Sequence, residues 1–315
     1  MKNPLTAIEK EALRAKKAKA GRNRKKTIRV VIVTTLLLMV ALLFLSPIVL
    51  TVTNSFMSKV EISANYGSVF SGSVDKKNTL VSKKVELKFI PDMVSFSQYN
   101  TVLFKSPEYL QKFWNSVILV VPIVLFQVLV SVWAAYGLSR YRRKWKEAVF
   151  FIYIIMMLMP YQVTLVPNYL VADKLNLIDT FWAIWLPGIF SPFAVYMLTK
   201  FIRRIPKSII EAAEIDGCSE SKIFWKIAFP LSKGSMASVA ILIFIDYWNM
   251  VEQPIILLPT QDLHPLSVFL SKINSGEVGL AFAIASIYMF LPLFVFLYGE
   301  EYLVDGISYQ GGVKG

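Results

Sequence analysis

The chain has 315 residues, of which 55% are hydrophobic and only 17% charged, and its mean hydropathy is positive. A soluble domain is about 45–50% apolar and about 25% charged, so the departure is that of an integral membrane protein. The net charge is +13; the single cysteine (Cys218) excludes an intrachain disulfide and, with the single histidine (His264), a His/Cys metal site, and no GxxxxGK[ST] loop is present to hold ATP.

In chain order, residues 1–29 form a basic N-terminal segment with eleven Lys or Arg. Apolar residues dominate Val30–Val52, a run longer than the about 7–15 residues of a secretory h-region and with no small-residue cleavage site after it. A retained first span over residues 30–53 is therefore expected in preference to a cleaved signal. Residues 54–112 form a long polar loop. Within it Val81, Val85, Leu87 and Phe89 alternate across Leu80–Ile90, which predicts a short strand or hairpin. Five further spans are expected inside a core of residues 113–303, at Phe113–Leu138, Ala148–Pro167, Phe181–Phe201, Ser235–Leu258 and Leu280–Leu303, each near or above the ~20 residues that cross a bilayer. Pro122, Pro160 and Pro292 fall inside spans and Pro254 near the end of one, positions tolerated where neighbours satisfy the freed backbone groups. The fold class expected is all-α and integral to the membrane, with six helices and a tail at 304–315.

Lys and Arg in the loops set the orientation. With the N-terminus inside, 24 of the 34 basic residues lie in the inner segments and 10 in the outer ones. Both termini are then expected in the cytoplasm by the positive-inside rule. The basic excess is a topology signal, so nucleic acid is not needed to explain it.

The inner loop 202–233 has its own pattern. Pro206 suits the start of a helix, Ile209, Ile210, Ala213 and Cys218 lie on or near one face, and Gly217 is placed to end the helix in a left-handed conformation. Ser219 or Ser221 can cap a second short helix through Ile223, Phe224 and Ile227, and Pro230 closes the loop. A helix lying on the inner membrane face is the plain alternative. The ordered set Glu211-Ala212-Ala213, Asp216-Gly217, Phe224 and Pro230-Leu231 resembles the EAA loop of ABC importer permeases, which docks into the ATPase subunit. The resemblance runs from about Phe96 to Gly315, through Trp114-Asn115-Ser116, Ala134-Ala135-Tyr136-Gly137-Leu138-Ser139-Arg140, Tyr247-Trp248-Asn249 with Pro254, and the closing Gly312-Val313-Lys314-Gly315. These look most like the carbohydrate class, and within it the smaller maltose-type permease subunit. Two features depart from the pattern: Cys218 stands where a small residue such as Ala is usual, and the loop 54–112 is longer than is typical.

What the resemblance implies is a transporter subunit with no catalysis or cofactor of its own. It would pair with a second homologous permease, above two copies of a cytoplasmic ATPase subunit that bind ATP and Mg. An extracytoplasmic solute-binding protein would deliver a sugar or oligosaccharide. Glu211, Ala212, Ala213, Asp216, Gly217, Phe224 and Pro230 are the expected coupling residues. Charge inside a span defaults to a functional reading, so Asp246 and Glu252, with Trp248, Asn249 and Gln253, are candidates to line the pathway, and Tyr161 and Gln162 after Pro160 form a second group. Pairing of Asp246 with a neighbouring helix, and an interfacial place for Glu252, are the structural alternatives. Trp182, Trp185 and Tyr288 read as interface anchors. Asn274, Ser275 and Gly276, with His264, are candidate contacts for the binding protein. A non-sugar solute such as a polyol or glycerol phosphate, or an ion-coupled carrier, remains the rival function.

Overall fold

The computed structural model describes residues 7–70, 87–140, 144–273 and 278–308. All of their regular structure is helical. Helix α1 (Ala7–Asn54) carries the first span and leads into α2 (Lys59–Phe70) and α3 (Ser97–Asn100), with a π-helical turn at Thr101–Lys105. The long α4 (Pro107–Arg140) follows, then α5 (Lys144–Met157), α6 (Tyr161–Lys174), α7 (Trp182–Gly188) and α8 (Pro192–Ile202). Helices α9 (Lys207–Ile215), α10 (Glu220–Ile223) and α11 (Phe229–Leu231) form the next loop, and α12 (Lys233–Trp248), α13 (Glu252–Leu257), α14 (Leu266–Ser271) and α15 (Val278–Ser308) complete the chain. Among the described residues, four helical stretches are long and apolar enough to cross a membrane, and two bent pairs raise the total to as many as six. The chain is a multi-pass membrane protein.

Helix α4 is the central member, packed on α8 and α12, while α12 also packs on α15 and α5 on α8. Its buried residues Ser116, Leu119, Val120, Ile123, Gln127, Val128, Ser131, Val132 and Ala135 recur every three or four positions, which puts them on one stripe of a 3.6-residue helix. Gly299 permits the close approach of α15 to α12, since a Cβ there would lie 2.1 Å from Ile241 Cδ1. By contrast, none of the apolar window of Lys26–Asn54 is buried. The C-terminal end of α1 is fastened, where Asn54 Nδ2 donates to the Tyr66 hydroxyl at 2.8 Å and Met57, Ile62 and Tyr66 pack against Ile273 and Phe282.

Two predicted spans are broken. Ala148–Pro167 divides into α5 and α6, bent by 99°, because Pro160 sits extended at φ −60°, ψ 140° and cannot donate the backbone hydrogen bond that continuation requires. Ser235–Leu258 ends as a helix at Trp248 and resumes only as α13. A helix continued through Met250 would lack the Pro254 N–H as donor to the Met250 carbonyl and would press the proline ring against it; here that carbonyl accepts the Ser267 hydroxyl hydrogen at 2.6 Å. Phe181–Phe201 also pauses, between α7 and α8, where the Ser191 hydroxyl caps the second piece by accepting the Ala194 N–H at 3.3 Å. Of the predicted hairpin at Leu80–Ile90, residues 80–86 lie outside the described residues and Leu87–Ile90 forms no strand.

Candidate functional site

The loop between α8 and α12 is a helix, a sharp turn and a second helix. Gly217 has φ +73°, the left-handed region where a Cβ is penalised. The turn is locked by two backbone bonds: Cys218 N–H donates to the Ala213 carbonyl at 2.9 Å and Gly217 N–H to that of Glu214 at 3.0 Å. This is the Schellman arrangement, and its usual apolar contact is present, since Cys218 packs with Ile210, Ala213 and Ile223. Ser219 stands at the start of α10, without a side-chain capping bond. Ile209, expected on the inner face, is 42% exposed, because the helix turns only Ile210 and Ala213 toward the packed side. The opposite face presents Glu211, Ala212, Asp216 and an Ile215 that is 87% exposed. Phe224 is buried beneath the loop, its ring centroid 5.1 Å from that of Tyr136, and Pro230 is exposed in α11.

The second feature is an open cavity of about 900 Å³ where the two broken spans meet. Tyr161, Gln162, Asp246, Asn249, Glu252 and Gln253 all line it, together with Thr164 and Asn168. Gln162 Nε2 donates to Glu252 at 3.3 Å, tying the start of α6 to the start of α13. Asn249 Nδ2 donates to the Ile245 carbonyl at 2.8 Å. Trp248 does not line the cavity. It is 1% exposed, stacked on Tyr288 at 5.1 Å and on Phe244 at 5.3 Å, because one residue on a helix moves the side chain by about 100° and out of the cavity wall. Tyr288, expected as an interface anchor, is likewise in the core and donates its hydroxyl hydrogen to the Trp248 carbonyl. Trp182 remains exposed and Trp185 half-buried. Thr164, Asn168 and Tyr247 are polar cavity residues that sequence reasoning missed; for the first two the signal was helical spacing from Tyr161.

At the far end of α4 from Gly217, Asn115 Nδ2 donates to the Asp262 carbonyl at 2.6 Å and to that of His264 at 3.2 Å. The Ser116 hydroxyl accepts the Leu266 N–H at 2.9 Å. Nearby, Asp179 accepts from the Thr260 hydroxyl at 2.6 Å and the Thr260 N–H at 2.9 Å. Those bonds, with the neighbouring His264, hold its carboxyl below the ordinary aspartate pKa. Asn274, Ser275 and Gly276 lie outside the described residues.

A helical membrane core, a capped helix–turn–helix loop and a polar cavity between broken spans together define a permease. The family model described as binding-protein-dependent transport system inner membrane component matches residues 127–305, more than half of the chain, and the chain belongs to that family. It is 30% identical over 241 residues to the arabinooligosaccharides transport system permease protein AraQ of Halalkalibacterium halodurans, covering 75% of this chain and 85% of the relative. It is 34% identical over 210 residues to the osmoprotective compounds uptake permease protein GgtD of Synechocystis, covering 65% and 70%. A solved chain from a bacterial ABC transporter involved in the import of the acidic polysaccharide alginate superposes with a TM-score of 0.73 at 22% identity, over 89% of this chain and 98% of that one. The fold is that of an ABC importer permease. Such a permease works in a membrane complex with ATPase subunits and a solute-binding protein.

Proposed function

We propose that this subunit carries a sugar or short oligosaccharide across the membrane, paired with a second homologous permease and two copies of an ATPase subunit. ATP and Mg are held by those ATPase subunits, and this chain has no ATPase site of its own. Both termini and the Gly217 turn lie on the ATPase side. The observation that carries the reading is the exposed face of α9, where Glu211, Ala212 and Ile215 project ahead of a turn fixed by Gly217. A short rigid helix with an apolar and acidic face fits a groove on a partner and transmits displacement. The cavity favours a hydroxylated cargo, with tyrosine, amide and carboxylate groups in its wall. Asp246 and Glu252 are the charged residues in that wall, which disfavours an anionic solute such as glycerol phosphate.

Reconstitution with the ATPase subunits and binding protein in proteoliposomes tests this. Glu211→Lys and Gly217→Pro are expected to insert normally and to reduce ATP-dependent uptake to the level seen without ATP. Gly217→Ala, which costs about 1–2 kcal/mol for the left-handed conformation, is expected to retain partial uptake. Wild-type uptake by a well-expressed Gly217→Pro variant would overturn the coupling role. Uptake that persists without the ATPase subunits would instead favour an ion-coupled carrier.

A further inference from the structure

Arg140 is the last residue of α4, and its side chain, 11% exposed, reaches both limbs of the Gly217 loop. Its Nε donates to both carboxylate oxygens of Glu220 at 3.0 Å, and its Nη2 donates to Glu214. Glu214 lies three residues before Gly217 and Glu220 three residues after it. Tyr136, one helical turn earlier on the same face of α4, donates its hydroxyl to Glu220 at 2.8 Å. The rings continue the seam, with Trp133 6.4 Å from Trp225 and Tyr136 5.1 Å from Phe224.

We infer that Arg140 is a positioning residue that clips the two limbs of the loop across the Gly217 turn and fixes both to α4, so that displacement of the loop is passed to that helix. The inference rests on the reading of the loop as the ATPase-docking element. A lone exposed ion pair contributes little. Here one guanidinium with a fixed fork of donors engages two carboxylates from different helices while mostly shielded from water, which gives the geometry its specificity. A lysine ammonium is a point charge on a flexible stem and does not reproduce the fork.

The test uses the complete complex, with Arg140→Gln, Arg140→Lys, Glu214→Gln/Glu220→Gln and the triple Gln variant. Two quantities are read: amide hydrogen exchange across residues 208–224, and ATP hydrolysis stimulated by the binding protein preloaded with mixed arabino- and malto-oligosaccharides. Arg140→Gln is expected to retain its ATPase subunits on purification, to exchange faster in the loop, and to lose about tenfold in stimulated hydrolysis, within the usual range of coupling between sites. Arg140→Lys should fall between it and the wild type. The triple variant should be no worse than Arg140→Gln, because the groups act as one network. Unchanged loop exchange and stimulation in Arg140→Gln would overturn the proposal. So would loss of the ATPase subunits by Arg140→Gln alone, since that marks a folding role. A wild-type complex that fails to bind ATPase subunits would defeat the importer reading, and the exchange measurement would still decide whether Arg140 orders the loop.

Discussion

Two neighbouring residues show how finely side-chain direction divides roles here. Asn249 faces the cavity, while Trp248 is enclosed among Phe113, Phe244 and Tyr288. Asp179 is a residue whose effect is open to titration. Its carboxyl is held below the ordinary value of 3.8, first by the Thr260 hydroxyl and then by the Thr260 N–H. A carboxyl with a lowered folded-state pKa contributes stability that is fully present above its unfolded value and is lost as pH falls through the folded value. The loop junction should therefore weaken only below about pH 4. In detergent, Asp179→Asn is expected to show a smaller fall in Tm between neutral pH and pH 3 than the wild type. An equal fall in both would show that other carboxylates dominate the acid limb.

At the scale of elements, α12 and α15 approach closely at Gly299. The nearest obstruction to a Cβ is the flexible end of Ile241, so Gly299→Ala should be absorbed by a rotamer change. Gly299→Leu overfills the contact and is expected to cost about 1–3 kcal/mol, seen as a lower Tm of the purified chain without loss of insertion. The existence of the helices was legible from apolar runs, and the Gly217 turn from a glycine flanked by two amphipathic segments. The breaks were not. Pro122 and Pro292 lie inside continuous α4 and α15, whereas Pro160 stands at an interruption and Pro254 in the first turn of α13, just beyond one. Proline alone does not distinguish the cases. The difference lies in the partners available beyond each proline. Gln162 and Glu252 find each other across the cavity, a tertiary contact that rewards bending and that no local pattern reveals. The Arg140 network was hidden for the same reason, since its carboxylates lie 74 and 80 residues away in sequence. Trp248 was misplaced because an aromatic flanked by polar residues reads equally well as cavity wall or as core.

For the whole molecule, the sided distribution of Lys and Arg sets the expected orientation, and the chain carries its own reporter of it. Cys218 is the single cysteine and is half-buried beside the Gly217 turn. With the permease expressed without its ATPase partners, a membrane-impermeant maleimide is expected to label Cys218 in inside-out vesicles and not in right-side-out ones. An Asp262→Cys substitution in a Cys218→Ala background should show the reverse. Labelling of Cys218 from the outside would invert the topology.

The unbroken course of α4 has one more consequence. At 34 residues and 1.5 Å per residue it is roughly 50 Å long, with Asn115 holding the 262–264 loop near one end and Arg140 holding the Gly217 loop at the other. The spans around the cavity are jointed, and this one is not. Under the proposed coupling it would serve as a lever pivoting within the core: a tilt of about 10° would move each tip by roughly 4 Å in opposite senses. A push on the Gly217 loop and a loosening of the 262–264 loop would then be two ends of the same motion.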